Sequence, residues 1–314
     1  MTKRHAANSA VKARFGLPFA EVHGLARGIM MDSALTLGTP ILSPSRAGIG
    51  TVALTRVANR TAVTRCRANS PLRLLNPQDH SATARIIAGT YGGGLLAGDA
   101  IELTVGAGAG TRCILGTQAS TKIYRSDGVG CTQNLNVTAA ADSVVVSLPD
   151  PIVCFAGSRF VQCQEFDLAP DASLLMLDWF TSGRAARGER WAMHHYRSQI
   201  QVTVGGQCVF RDLLDMDPAD GEIGGPMRMA KTNCFATVVL LGSVMAEHAS
   251  AITHRIQRQV ILAHRPLLAG ASPLPGGAVL RIAGDSSEAV GFWLREHLAF
   301  IRDLVGLDPW QRKW

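Results

Sequence analysis

The sequence predicts a mainly β protein, in which stacked strands form a helix-like arrangement, β-helical or sandwich-like, with two C-terminal amphipathic helices. Glycine accounts for 32 of the 314 residues and aromatic residues for 6%, a composition suited to many tight turns between small side chains. Short runs of alternating apolar and polar residues recur about every 8 to 12 residues, as in sandwiches, barrels and stacked β-coils. No segment of helical length interrupts these runs before residue 212.

The predicted strands follow one another closely from residue 48 onward. Glycine, asparagine, aspartate and proline separate the runs, and these residues are typical of turns. Gly205 and Gly206 join the last two runs, which predicts a hairpin. The predicted strands cover residues 51–57, 61–67, 84–88, 101–105, 112–115, 121–124, 132–137, 143–147, 152–155, 160–168, 173–177, 191–204 and 207–210.

Helical spacing appears near the C-terminus. Residues 246–265 place Ala249, Ile252, Ile256 and Val260 on one side at intervals of three and four, which predicts an amphipathic helix. The polar stretch before it, residues 213–231, is expected to be a connection containing one short helix.

The last segments are predicted from their turn and capping residues. Residues 266–277 contain three prolines and three glycines and are expected to form a loop before a strand at 278–283. Asp285 is expected to cap a second helix, with Glu288 close to the capping-box position. Gly306 and Pro309 are expected to end it.

Positive charge is concentrated at the N-terminus. Residues 1–75 carry eleven lysines and arginines against two acids, a balance of +9, whereas the rest carries 20 against 22. Residues 1–47 are therefore predicted to be a basic, disordered extension, and 48–314 a single β domain that ends in the helices. A near-neutral body argues against nucleic-acid binding. No uncharged apolar run reaches the roughly 18 residues of a membrane helix, so no membrane role is expected.

Cysteine and histidine spacing argues against a fixed metal site. The seven cysteines are scattered and lack a C-x-x-C pair, which excludes a disulfide framework and a zinc site of the usual spacing. His194 and His195 are adjacent in a predicted strand and would point to opposite faces. We therefore expect a reducing, cytoplasmic location, although the basic N-terminus leaves organellar targeting open.

Three segments carry candidate chemistry. The glycine-rich residues 91–99 fit a dinucleotide-binding string, but a strand follows them instead of a helix, so a glycine turn capped by Asp99 is favoured. Residues 117–122 place hydroxyl groups beside Lys122 without a coupled histidine or acid, which favours a sheet surface. Residues 178–191 combine acids, arginines and tryptophans, as in either a salt-linked turn or a docking surface.

Six motifs in this order resemble the urease accessory protein D family, also called H, and its eukaryotic members in particular. They span most of the region from about residue 48 to 306. The motifs are TRCRANSPL at 64–72, TYGGGLLAGD at 90–99, TQASTKIY at 117–124, LPDPIVCF at 148–155, DWFTSGR at 178–184 and RIAGDSSE at 281–288.

The resemblance implies a non-catalytic chaperone in urease maturation and nitrogen metabolism. Such proteins bind apo-urease, recruit an F-type accessory protein and a G-type GTPase, and pass transient Ni²⁺ through an internal tunnel, with no tightly bound cofactor. Weak oxygen ligands suit such a relay because they exchange cations readily. The candidate conduit residues are Asp99, Glu102, Lys122, Asp178 and Glu189. The candidate partner-contact residues are Trp179, Arg184, Arg187, Trp293, Arg295 and Leu298, and residues 278–306 are expected to meet the F-type protein.

A second hypothesis comes from the carboxylates alone. Asp99, Asp178 and Glu189 on a stacked sheet could serve as the acid and base of a polysaccharide hydrolase or lyase. Such an enzyme needs a groove lined with aromatic rings, and the chain has three tyrosines.

Overall fold

The computed structural model describes residues 47–77, 81–260 and 266–311. The predicted basic extension, residues 1–47, lies outside these ranges except for Ala47. Within the described ranges, no helix is long and apolar enough to cross a membrane.

Strands account for about half of the described residues, and most of them match the predicted order. They are β1 (Ala47–Val57), β2 (Arg60–Ala68), β3 (Leu72–Leu75), β4 (Ala84–Thr90), β5 (Ala100–Ala107), β6 (Arg112–Thr117), β7 (Thr121–Ile123), β8 (Cys131–Ala139), β9 (Val144–Leu148), β10 (Ile152–Cys154), β11 (Arg159–Leu168), β12 (Ser173–Thr181), β13 (His195–Val204), β14 (Gln207–Met216), β15 (Cys234–Leu241), β16 (Leu267–Leu274) and β17 (Gly277–Gly284).

The strands form two sheets. Sheet A has the order β14-β13-β11-β8-β5-β1-β2, and sheet B has the order β16-β17-β15-β12-β9-β6-β4-β3. The short strand β10 pairs with β12 of sheet B and with β7. The central strands of both sheets run parallel, from β1 through β5, β8 and β11 to β13 in sheet A and from β4 through β6 and β9 to β12 in sheet B.

The chain alternates between the sheets as it proceeds. Strands β4, β6, β9 and β12 of sheet B alternate along the sequence with β5, β8, β11 and β13 of sheet A. Each pair therefore forms one turn of a flattened coil, and antiparallel strands close the stack at both ends. The prediction of stacked strands in a helix-like arrangement is confirmed. The hairpin at Gly205 and Gly206 is also confirmed, and both glycines have positive φ.

The described helices follow the β body, as predicted. Helix α1 spans Ser243–Gln257, α2 spans Ser287–His297, and the short α3 spans Ile301–Val305. Helix α1 buries Ala249, Ile252 and Ile256 on one face, whereas Val260 lies beyond its end and is exposed.

Two hydrophobic clusters hold the layers together. One fills the space between the sheets and includes Val105, Phe166 and Leu174. The other lies between sheet B and the helices and includes Leu177, Met245 and Leu294. Sheet B is therefore buried on both faces, and strand β12 at its centre is buried at all nine positions.

Several predicted boundaries were wrong. The expected loop at 266–277 is largely strand β16, which tolerates Pro273 because it lies at the edge of sheet B, where a missing N–H breaks no ladder. Strand β15 was missed because both of its faces are buried and its sequence does not alternate. The expected connection at 213–231 begins with the end of β14 and contains one 3-10 turn at Pro218–Asp220.

The second predicted helix differs at its start and in its continuity, whereas its predicted end at Gly306 is confirmed. Ser286, not Asp285, is the N-cap, because the Ser286 hydroxyl accepts a hydrogen bond from Ala289 N at 3.2 Å. Asp285 instead donates its backbone N–H to Pro266 O, which ties it to the neighbouring strand region. The helix ends at His297 and resumes as α3, so the expected single helix is divided.

Candidate functional site

A cavity of about 680 Å³ lies between the two sheets. Strands β5, β8 and β11 of sheet A line it on one side, and β4, β6, β9 and β12 of sheet B on the other. Its wall carries buried polar side chains, among them Gln162, Gln164, Ser147 and Asp178. A polar interior is costly to form without partners, so this cluster marks a site and not a simple packing defect.

Asp178 is the buried carboxylate of this cavity. Strand β12 alternates, so Leu177 and Trp179 face the helices while Met176 and Asp178 face sheet A. The side-chain amide of Gln162 donates to Asp178 Oδ1 at 2.7 Å. The hydroxyl of Ser198 donates to Asp178 Oδ2 at 3.0 Å. Both carboxylate oxygens are therefore held by neutral donors from sheet A.

The electrostatics of Asp178 favour the arrival of a cation. Burial raises the pKa of the Asp178 carboxyl above its ordinary value, and hydrogen bonds from Gln162 and Ser198 oppose that rise. No arginine, lysine or histidine of the described ranges forms an ion pair with this carboxylate. A positive ion in the cavity would therefore replace the missing charge partner.

Exposed residues mark the mouth of the cavity. Tyr91 is 67% exposed, and Gln118 and Lys122 beside it are exposed as well. The glycine-rich loop packs tightly here, since Leu95 N donates to Lys122 O at 2.8 Å. A Cβ on Gly94 would lie 2.5 Å from Lys122 O, so this position requires glycine.

Asp99, Glu102 and Glu189 do not line this cavity. Asp99 caps the glycine turn, because its Oδ2 accepts a hydrogen bond from Leu96 N at 2.8 Å, which confirms the glycine-turn interpretation. Glu102 is exposed on the outer face of strand β5. Of the five conduit candidates, the structure places Asp178 and Lys122 at the cavity and the other three elsewhere.

Glu189 belongs to a salt-linked turn on the surface. Arg184 Nε donates to Glu189 Oε2 at 2.8 Å, and its guanidinium stacks 4.2 Å above the Phe155 ring. The hydrogen bond from Arg184 lowers the pKa of Glu189. Of the two interpretations of residues 178–191, the salt-linked turn describes residues 184–189. Asp178 and Trp179 belong to the buried strand β12.

Comparison with known proteins decides the family. The family model described as UreD urease accessory protein matches residues 46–314. The chain belongs to the UreD urease accessory protein family. The inner cavity, with Asp178 and its partners, is therefore a feature of a UreD-family β body.

Relatives from bacteria and plants support the assignment. The chain is 44% identical over 277 residues to "Urease accessory protein UreD" from Sorangium cellulosum, covering 86% of this chain and 85% of that protein. It is 44% identical to the protein of the same name from Anaeromyxobacter sp., covering 85% of this chain and 90% of that protein. It is 31% identical to "Urease accessory protein D" from Oryza sativa subsp. indica, covering 86% of this chain and 97% of that protein.

The partner-contact candidates of this UreD-family chain divide by burial. Trp179, Trp293 and Leu298 lie in the cluster beneath the helices, so burial removes them from the candidate contact surface. Trp179 instead donates its indole N–H to Pro149 O at 2.8 Å. The exposed candidates are Arg187 and Arg295, while Arg184 is partly exposed and bound to Glu189.

The partners of Asp178 were missed by sequence reasoning, although strand β11 carried a signal. Its core-facing positions read Phe160, Gln162, Gln164 and Phe166, so two amides occupy positions where alternation places apolar residues. Ser198 repeats this exception on the neighbouring strand β13. Polar residues in the buried phase of two paired strands indicate a buried polar site.

The site offers weak oxygen donors. Among the described residues, no three histidines, cysteines or acids lie close enough together to hold a metal ion. Carboxylate and amide oxygens bind divalent cations less firmly than thiolate or imidazole groups and exchange them more readily. The arrangement suits brief residence of a cation.

Proposed function

We propose that this urease accessory protein is a non-catalytic chaperone that delivers nickel to apo-urease. It works in the cytoplasm with an F-type accessory protein and a G-type GTPase, and Ni²⁺ is its cargo. The observation that supports this proposal best is the placement of Asp178 in a cavity of about 680 Å³ that opens beside Lys122. The cavity serves as part of an internal conduit.

Weak binding is what a conduit requires. An ion must bind well enough to enter and weakly enough to leave, which several low-affinity positions accomplish better than one tight site. Asp178 supplies negative charge, and Gln162 and Gln164 supply amide oxygens along the same wall. The hydrogen bonds that hold Asp178 keep its oxygens in place while the ion passes.

The exposed face of helix α2 is the proposed contact surface for the F-type protein. Phe292 is 66% exposed and lies three positions from Arg295, so the two share one face of the helix. Aromatic and arginine side chains are enriched among the residues that dominate protein interfaces. Arg187, on the turn of residues 184–189, is a separate proposed contact residue. Its partner is apo-urease or the F-type protein.

The polysaccharide enzyme is disfavoured by the positions of its three carboxylates. Asp99 caps a turn and Glu189 is bound by Arg184 on the surface, so of the three only Asp178 lines the cavity. The other acid of the cavity wall, Asp150, accepts a hydrogen bond from the Thr117 hydroxyl at 3.1 Å. Glycoside cleavage needs two carboxyl groups about 5 to 9.5 Å apart across one substrate bond. No two of these three acids line the cavity together.

Asp178→Asn tests the conduit. The variant is co-expressed with urease and the other accessory proteins at limiting nickel, and the nickel content of purified urease is measured by mass spectrometry. We expect about tenfold less nickel in urease, which corresponds to roughly 1.4 kcal/mol of lost attraction for the ion. Pull-down of the accessory complex should be unchanged, because the residue is buried and does not lie on the proposed contact surface.

Glu102→Gln is the matched control. It removes one carboxylate from the outer face of the same sandwich, so urease should keep its normal nickel content. If Asp178→Asn gave fully loaded urease at limiting nickel, the conduit would be disproved and a purely scaffolding role would remain.

A further inference from the structure

A second, smaller cavity of about 90 Å³ lies on the other side of Asp178. Asp178 lines both cavities, and Ser198, which is hydrogen-bonded to it, also lines the smaller one. The smaller cavity extends to strand β14, the edge strand of sheet A, where Leu213 is 54% exposed. Polar side chains therefore continue from the first cavity, past Asp178, toward a second edge of the sandwich, with Phe180 and Phe235 beside them.

Strand register explains this path. Asp178 on β12 is paired with Thr237 on β15, and Thr237 is paired with Arg281 on β17. Neighbouring strands lie about 4.8 Å apart, so these three residues form a polar row about 10 Å long across sheet B. The residues on either side of Arg281, Leu280 and Ile282, face the helices, so Arg281 itself faces sheet A.

An ion pair stands at the end of this row. Arg281 binds Asp212 of strand β14 through two hydrogen bonds, Nη2 to Oδ1 at 2.9 Å and Nη1 to Oδ2 at 3.0 Å. Both residues line the smaller cavity, with Asp212 19% and Arg281 43% exposed. The pair joins β14, the edge strand of sheet A, to β17, the second strand of sheet B, in a planar geometry that arginine and carboxylate hold well.

In this ion pair, Arg281 neutralises the charge of Asp212, which is the next carboxylate after Asp178 in the smaller cavity. Asp212 is close enough to Asp178 for its charge to contribute to the raised pKa of Asp178. A divalent cation at Asp178 would be attracted by Asp212 and repelled by Arg281, and the paired state cancels most of that attraction. If Arg281 moved outward, Asp212 would become a second oxygen ligand beside an open edge.

We propose that the Asp212–Arg281 ion pair is a latch that closes a second exit from the inner cavity to divalent cations. This inference rests on the proposed conduit and names the group that regulates it. With the latch closed, the cation exchanges through the mouth beside Lys122. With the latch open, it also exchanges past β14, the edge strand of sheet A.

Arg281→Met tests the latch in the full chain, with Ni²⁺ alone as the probe. Calorimetry gives the affinity, and stopped-flow quenching of tryptophan fluorescence gives the association rate. Freeing Asp212 should tighten Ni²⁺ binding about tenfold, the effect of roughly 1.4 kcal/mol. Opening the exit should also raise the association rate several-fold.

The double variant Arg281→Met/Asp212→Asn separates the two effects. It leaves the exit open but removes the freed carboxylate, so the affinity should return to the wild-type value while the faster association persists. Arg281→Ala provides a second opening variant if the methionine variant folds poorly, because alanine has no side-chain group that reaches Asp212.

Arg197→Met is the matched control. Arg197 of β13 is 42% exposed and binds Asp215 of β14, the strand that also carries Asp212, but it lines neither cavity. An opening variant that binds Ni²⁺ at the rate of Arg197→Met overturns the latch. Failure of the conduit has a different result, in which Asp178→Asn leaves urease fully loaded with nickel whatever the Arg281 variants do.

Discussion

The two buried faces of sheet B differ in composition although they share the same strands. On the face that meets the helices, strand β12 contributes Leu175, Leu177 and Trp179 to an apolar cluster. On the face that meets sheet A, the alternate positions include Asp178. Neighbouring strands repeat the division, since Ser147 of β9 and Thr237 of β15 also lie on the inner face.

This difference follows from what each face packs against. The backbone N–H and C=O groups inside a helix are already hydrogen-bonded to one another, so a polar side chain that faces a helix finds few partners there. A second sheet can present polar side chains at fixed register, and sheet A supplies Gln162 and Ser198 to Asp178. We infer that both layers provide stability and that the polar part of the inter-sheet layer also provides function.

Leu177→Ala should have the largest effect on stability and should separate the two layers. Leu177 is fully buried under the helices, and removing three carbons leaves a cavity there. We expect a loss of about 2–5 kcal/mol in the free energy of unfolding. Urea titration measures it, and Ni²⁺ affinity per folded molecule should be unchanged because Leu177 points away from the inner cavity.

A loss below about 1 kcal/mol would fall short of the range seen for buried leucines. It would mean that the helix layer is loosely packed and contributes little to the free energy of unfolding. A change in Ni²⁺ affinity would contradict the division more directly. It would show that the helix-facing core and the inner cavity are mechanically coupled through strand β12.

Ser286→Ala should weaken the helix layer by a smaller amount. The Ser286 hydroxyl accepts the N–H of Ala289 at the start of α2, and alanine leaves that donor without its partner. We expect a loss of about 1 kcal/mol, measured by the same titration. Ser287→Ala is the control, because Ser287 bonds the neighbouring Glu288 side chain and caps no backbone group. Equal losses in both variants would show that the cap itself does not matter.

The strand series was readable from the sequence because most strands bury one face and alternate. Strand β5 is an example, with Ile101, Leu103 and Val105 inward and Glu102 outward. Strand β15 was not readable, since a strand buried on both faces loses the period-2 pattern. Strand β16 was missed because its prolines and glycines are typical of loops, and its edge position, which permits them, is a property of the folded sheet.

The site was only partly predictable, for a topological reason. Asp178 was selected only as one of the charged residues of segment 178–191, since its partner Gln162 is 16 residues away and Arg281 is 103 residues away. The coil brings such positions together through pairing register, which no local pattern encodes. Glu189 was chosen for its charged surroundings, and those surroundings proved to be its own salt-linked turn.

Asp178→Asn should have the smallest effect on stability, and one of opposite sign to the other two. Burial raises the pKa of Asp178, so the folded protein holds its proton more firmly than the unfolded chain does. The Asp178 carboxyl therefore stabilises the wild type at low pH, and this contribution is lost as the pH rises from the ordinary pKa of aspartate through the raised pKa. Asparagine carries no charge at any pH. Its oxygen can accept from Gln162, and its amide N–H can donate to the Ser198 hydroxyl in place of the bond that Ser198 donates to the carboxylate.

The expected result is a pH-dependent difference between variant and wild type in the free energy of unfolding. Below the ordinary pKa of aspartate both side chains are neutral and the two proteins should be nearly equal, whereas at neutral pH the asparagine variant should be more stable. The gain should be smaller than the Ser286→Ala loss because Gln162 and Ser198 offset much of the desolvation cost.

Glu102→Gln controls for the loss of one negative charge. A variant less stable than wild type at every pH would show that the folded chain stabilises the Asp178 charge by itself. A more stable variant that delivers less nickel would show that the inner layer retains a costly carboxylate for its function.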